Sequence, residues 1–137
     1  MTTDWLHQYL DAWNSHDGGQ VAAYMAEDAT YEDLAINQIH KGRDAIKAFV
    51  DETNVFSPDY RFTVVSVQQS GDQYATEWEM AGTHLGEAAG LPPTNKPYRI
   101  RGISVGRVDA DGKIAENRDY WNMADFLMQV GILPPPG

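Results

Sequence analysis

Two short stretches of the chain carry carboxylates at spacings suited to proton transfer. Between Ile114 and Trp121, the residues Ile114, Glu116, Arg118 and Tyr120 alternate with Ala115, Asn117, Asp119 and Trp121. The two charged side chains of the first set belong in water, so the second set is expected to face inward, although Ile114 and Tyr120 argue the other way. Asp119 then lies beside Trp121 in aromatic surroundings. Removing water from a carboxylate raises its pKa towards neutrality, which suits a group that both takes and returns a proton. The same spacing also fits a structural aspartate paired with Arg118 or with a backbone group. In Tyr31-Glu32-Asp33 the first and third residues share a face, making Asp33 a second candidate with a phenol beside it; a turn aspartate is the plainer reading. His84 ends an apolar alternation and is a third candidate, or else a hydrogen-bonded core histidine. Tyr9 and Ser104 are candidates for orienting a substrate carbonyl.

Other chemistries lack their residues. There is no cysteine, so thiol nucleophiles, thiolate metal sites and disulfides are excluded. No glycine-rich phosphate loop or Gly-x-Ser-x-Gly elbow is present. His7, His16, His40 and His84 show no ligand spacing, so no metal is expected, and Asp109-Ala110-Asp111-Gly112 reads as a hairpin turn rather than a calcium loop. Cofactor-free proton transfer, addition or elimination remains.

The elements that must position these groups follow from periodicity. Trp5, Leu6, Tyr9, Leu10 and Trp13 form one stripe of a helix over Thr3–Asn14. Asp17-Gly18-Gly19 breaks it, and a second short helix follows with Val21, Tyr24 and Met25 inward. A short strand is expected from Ala29 to Leu34, then a helix carrying Ile46, Phe49 and Val50. Period two takes over in Arg61–Gln69 and, after the turn Ser70-Gly71-Asp72, in Gln73–His84, where Tyr74, Thr76, Trp78, Met80, Gly82 and His84 face inward. A Gly/Pro-rich connection (86–97) leads to strands Tyr98–Val108 and Ile114–Trp121 and a last helix, Ala124–Val130. Helices first and a meander of long strands after them predict an α+β fold: a cone-shaped, curved antiparallel sheet packed against N-terminal helices, with a pocket between the layers.

The 137 residues suffice for one domain, 1–137, around one core. Twenty acidic and ten basic residues give a formal charge of −10, which repels nucleic acid and anionic membranes and suits a small-molecule partner. No apolar run reaches the ~20 residues of a membrane span. The N-terminus has neither a basic nor an apolar leader segment, so a cytoplasmic location is expected.

Several segments in order and spacing, Ala12-Trp13-Asn14-Ser15-His16-Asp17, Ala26-Glu27-Asp28-Ala29-Thr30-Tyr31-Glu32-Asp33, Gly42-Arg43-Asp44-Ala45-Ile46, Gly82-Thr83-His84-Leu85-Gly86, Gly90-Leu91-Pro92-Pro93-Thr94, Asp111-Gly112-Lys113-Ile114-Ala115-Glu116 and Gln129-Val130-Gly131, resemble the nuclear transport factor 2-like superfamily and, within it, the SnoaL-like polyketide cyclases. The resemblance implies an enzyme needing no cofactor, a homodimer paired through the outer sheet face, and Asp119 as the general acid/base of an intramolecular aldol closure. Asp33 and His84 would assist, with Trp13, Tyr31, Trp78, Met80 and Trp121 as apolar walls. Ketosteroid isomerases are also similar: Tyr9 matches their oxyanion-binding tyrosine, Asp33 their base, and Ser104 stands where they carry a protonated aspartate. Arg118-Asp119-Tyr120-Trp121 resembles the acid of limonene-epoxide hydrolases, which place an arginine and an aspartate where Trp78 and Met80 stand here. Besides a cyclase or enolate isomerase, the resemblance leaves open a non-catalytic binding or dimerising domain and an epoxide hydrolase or hydratase.

Overall fold

The computed structural model describes residues 3–136. Met1, Thr2 and Gly137, which belong to the expected 1–137 domain and leader readings, lie outside the described residues. Helix α1 (Asp4–Asn14) buries Leu6, Tyr9, Leu10, Ala12 and Trp13, the face set by its three- and four-residue spacing. Asp17 caps the short helix α2 (Gly18–Ala22) by accepting from the Gly19 amide. Strand β1 (Met25–Asp33) starts four residues earlier than expected, so Met25 belongs to a strand and not to a helix. An unexpected edge strand, β2 (Gln38–Lys41), precedes helix α3 (Arg43–Phe56).

The long strands are β3 (Arg61–Ser70), β4 (Gln73–Thr83), β5 (Pro97–Val108) and β6 (Ile114–Trp121), with helix α4 (Met123–Gln129) closing the chain. Gly71 opens the two-residue β3–β4 turn at φ 60°, a conformation that glycine adopts without strain. The six strands form one sheet in the order β2-β1-β6-β5-β4-β3. The sheet is mixed rather than antiparallel, since β1 lies parallel to β6 with Asp33 opposite Asp119. This correction has a topological cause: β1 joins the far end of the meander, and a strand arriving through helices is free to run either way.

Bulges re-aim side chains in two strands. Val65 is the extra residue of β3, and Ala115 that of β6. The β6 bulge resolves the conflict along that strand, because it lets Ile114 be buried while Asn117 and Asp119 are buried as well. Helix α1 packs over β3, α3 over β1 and β2, and α4 against β5. The core between these layers is rich in aromatic rings: Trp13 meets Tyr31, Phe49, Tyr60 and Phe62 at centroid distances of 5.7–6.4 Å. Among the described residues, no helix is long and apolar enough to cross a membrane.

Candidate active site

Between the helices and the inner sheet face lies a cavity of about 510 Å³. Tyr9 and Trp13 reach it from α1, Tyr31 and Asp33 from β1, Trp78 and Met80 from β4, Ser104 from β5, and Asp119 and Trp121 from β6. Nine of the expected site residues therefore share one cavity. His84 does not line it. It follows the end of β4, fully buried, with its ring 5.4 Å from Phe56 and 5.7 Å from Phe126 and Nδ1 3.1 Å from Thr94 Oγ1. The connection that leaves the strand here carries the histidine behind the wall, and burial lowers its pKa. His84 stands outside the cavity, and its buried Nε2 has no hydrogen-bond partner among the described residues.

Asp119 is the most elaborately held side chain of the site. Ser104 Oγ donates to Oδ1 at 2.5 Å and Asn117 Nδ2 donates to the same oxygen at 2.8 Å, while the Tyr31 hydroxyl donates to Oδ2. Each Oδ1 donor is itself fixed from behind. Trp78 Nε1 donates to Ser104 Oγ at 2.9 Å, and the Tyr74 hydroxyl donates to Asn117 Oδ1 at 2.6 Å. An indole N–H can only donate and a carboxylate can only accept, so the single proton of Ser104 is committed to Asp119. In this arrangement Ser104 directs its proton at Asp119 and not into the cavity.

Burial pushes the Asp119 carboxyl up to about 6, against the opposing pull of the Ser104, Tyr31 and Asn117 hydrogen bonds, with the neighbouring Asp33 charge adding to the rise. A carboxylate that titrates near 6 is ionised at neutral pH yet holds a captured proton far better than an exposed one. Asp33 is arranged differently. Trp121 Nε1 donates to both its oxygens at 3.0 and 3.2 Å, and the backbone amides of Ala35 and Ile36 donate to Oδ1. Burial raises its pKa as well, and the Trp121 and amide donors pull it back. Asp33 thus caps its own turn while facing the cavity, combining both roles that its spacing allowed.

The Tyr9 hydroxyl is buried with no hydrogen-bond partner of ordinary geometry among the described residues, and burial raises its pKa far above the ordinary phenol value against an opposing pull from the Trp13 side chain. An unpaired buried hydroxyl costs free energy unless a ligand oxygen completes it. Among the described residues, no group of three or more His, Cys, Asp or Glu side chains is placed to hold a metal ion.

Residues 6–117 match the SnoaL-like domain. The chain is a member of the SnoaL-like domain family. It is 26% identical over 123 residues to the nogalonic acid methyl ester cyclase of Streptomyces nogalater, covering 89% of this chain and 91% of that protein. The solved structure of IdmH from Streptomyces antibioticus, provisionally a polyketide cyclase, is 28% identical with a TM-score of 0.79, covering 94% of this chain and 97% of that one. A Catenulispora acidiphila protein of ketosteroid isomerase-like fold, crystallised with trimethylamine, superposes at a TM-score of 0.84 over 97% of this chain and 96% of its own, with 21% identity. That last likeness speaks for the fold alone.

Several residues that line or support the cavity have no distinguishing mark in the sequence. Alternation puts Asn117 and Tyr74 on inward faces but assigns them no role, since their part depends on how β6 and β4 face each other across β5. Phe49 and Phe62 complete the walls, and Glu87 to Leu91 of the Gly/Pro-rich connection line the entrance with Glu52. The loop signal was compositional only, and composition does not say which way a loop folds.

Proposed function

We propose that this SnoaL-like chain is a ring-closing enzyme, acting without a cofactor on a small, largely apolar molecule with several carbonyl groups. Asp119 serves first as base and then as source of the returned proton. The carboxylate removes a proton from a carbon next to a carbonyl, and the resulting enolate carbon attacks a second carbonyl of the same molecule. A C–C bond forms, the acceptor oxygen becomes an alkoxide, and it is protonated as Asp119 gives up the proton it took from carbon. The substrate is isomerised and Asp119 returns to its starting state.

The observation that carries this reading is a buried carboxylic acid, pushed up to about 6, on the wall of an aromatic cavity. Tyr9 would supply a hydrogen bond to the enolate oxygen, a favourable use of an otherwise unpaired hydroxyl. Asp33 assists by position, its charge next to Asp119 helping to keep that pKa high. The Streptomyces nogalater relative is named for a methyl ester. An ester suits this cavity too, because Asp33, Glu52, Glu87 and Asp119 line it and, among the described residues, no lysine, arginine or histidine does.

The test uses nogalonic acid methyl ester as probe. Wild-type protein should close the ring, and Asp119→Asn should abolish turnover while still binding the probe, followed by quenching of tryptophan fluorescence. Full activity in that variant would end the assignment. For the assembly the reading is a homodimer through the outer sheet face, where Ile103 and Tyr120 pair in register between the flanking ion pairs Arg99–Glu79 and Arg107–Glu116. Light scattering on the purified protein checks the mass, and a monomer at micromolar concentration contradicts it.

A further inference from the structure

Ring closure makes two demands on one carboxyl group. It must take a proton from carbon and give a proton to an oxygen bonded to a different carbon. Oδ1 of Asp119 is closed to both tasks, since it already accepts from Ser104 and Asn117, and each of those is pinned by a second donor. Oδ2 has a single partner, the Tyr31 hydroxyl.

Tyr31 is set apart from the other two donors by three features taken together. It lines the cavity, which Asn117 does not. Its hydroxyl oxygen receives no donor among the described residues, whereas Ser104 Oγ already receives the Trp78 N–H, so the phenol can gain one proton while releasing another. Its ring is held by Trp13 at 6.0 Å and Phe49 at 5.5 Å, on a strand paired in register with β6, so only the O–H rotor needs to move.

We propose that Tyr31 is the catalytic acid of ring closure, passing its phenolic proton to the new alkoxide as Asp119 Oδ2 passes the carbon-derived proton to the Tyr31 oxygen. The proposal rests on the ring-closure reading above. The balance is complete. The substrate C–H bond breaks as Oδ2–H forms, and the C–C bond forms. The Tyr31 O–H bond then breaks as the product O–H forms, and Oδ2–H breaks as the phenol is restored. A phenol whose pKa burial holds well above 10 gives up its proton only to a strong base such as an alkoxide, and only with Asp119 replacing that proton at once.

The experiment compares wild type and Tyr31→Phe in single-turnover ring closure of nogalonic acid methyl ester across pH 5–9. If Tyr31 only stabilises the Asp119 anion, its removal moves the acid limb to higher pH and the rate recovers fully on the alkaline plateau. A relay predicts that a loss of about a hundredfold persists on that plateau. Full recovery there overturns the relay and leaves the Asp119 assignment standing. Failure of the wild type to close the ring overturns both. Should the variant not fold, as judged by circular dichroism, the wild-type proton inventory in mixed H₂O/D₂O decides. The proton taken from carbon carries no solvent label within one turnover, whereas the Tyr31 phenolic proton does, so a straight, sloping dependence, from one solvent-derived proton in flight, supports the relay, and a rate indifferent to the D₂O fraction overturns it.

Discussion

Asp119 works against the stability of the fold that holds it. The folded protein binds its proton more tightly than the unfolded chain, so the contribution of this group to stability is fully present below about pH 4 and is lost as the pH rises through about 6. The interval from 3.8 to about 6 corresponds to about 3 kcal/mol. Asp119→Asn is neutral throughout, and any change in hydrogen bonding that it brings is independent of pH. Urea unfolding should therefore show the variant gaining on wild type by up to about 3 kcal/mol between pH 4 and pH 8, with turnover absent at both. An equal difference at the two pH values would contradict the buried-acid description. Ser104→Ala tests the same group from the other side. It removes the hydrogen bond that most favours the ionised form, so the acid limb of the rate profile should move above 6. A limb that stays in place or moves down contradicts this. Asp119, Asp33 and Tyr31 could be picked out of the sequence because alternation alone assigns a strand residue to a face. The role of Ser104 could not, because it depends on Ser104 standing opposite Asp119 across β5 and β6, and register is not written in either strand separately.

At the scale of elements, the site depends on how β4 and β5 fit together. The six-membered ring of the Trp78 indole lies against Gly102, and a methyl group there would fall 2.3 Å from Trp78 Cη2. Gly102→Ala must therefore displace the indole, and with it the N–H that fixes Ser104. The expected cost is about 1–3 kcal/mol of stability, with an altered tryptophan emission spectrum and weaker probe binding. An unchanged spectrum and unchanged midpoint would show that the indole is not held there. The period-two stretches made β3 to β6 legible, since one face of each is packed and the other wet. Alternation marks strand β1 only from Ala29, four residues after its start, and carries nothing of its parallel pairing with β6. Met25 and Ala26 are both buried while Glu27 and Asp28 are exposed, so the early part of that strand has no alternation to read. Its direction depends on a partner that is distant in sequence. The same limit applies to His84, where the periodic pattern of β4 runs one residue past the end of the strand.

The whole molecule carries a formal charge of −10, and the cavity shares its sign. Glu52 and Glu87 are exposed at the entrance, and Asp33 and Asp119 are buried further in. The entrance charges act in water and at a distance, so their influence is on approach and is weakened by salt; the inner pair acts where screening is slight. A substrate bearing a free carboxylate must pass the first pair and settle near the second. Its methyl ester meets neither penalty. The ester should therefore show a kcat/KM at least about tenfold above that of the corresponding free acid at low ionic strength. Raising sodium chloride to 0.5 M should narrow the gap by improving the acid, with little change in the ester. Glu52→Gln combined with Glu87→Gln should remove the salt-dependent part and leave the remainder, because the remainder comes from the buried pair. Equal rates for acid and ester, or a gap indifferent to both salt and the double variant, would show that selection is made by shape alone.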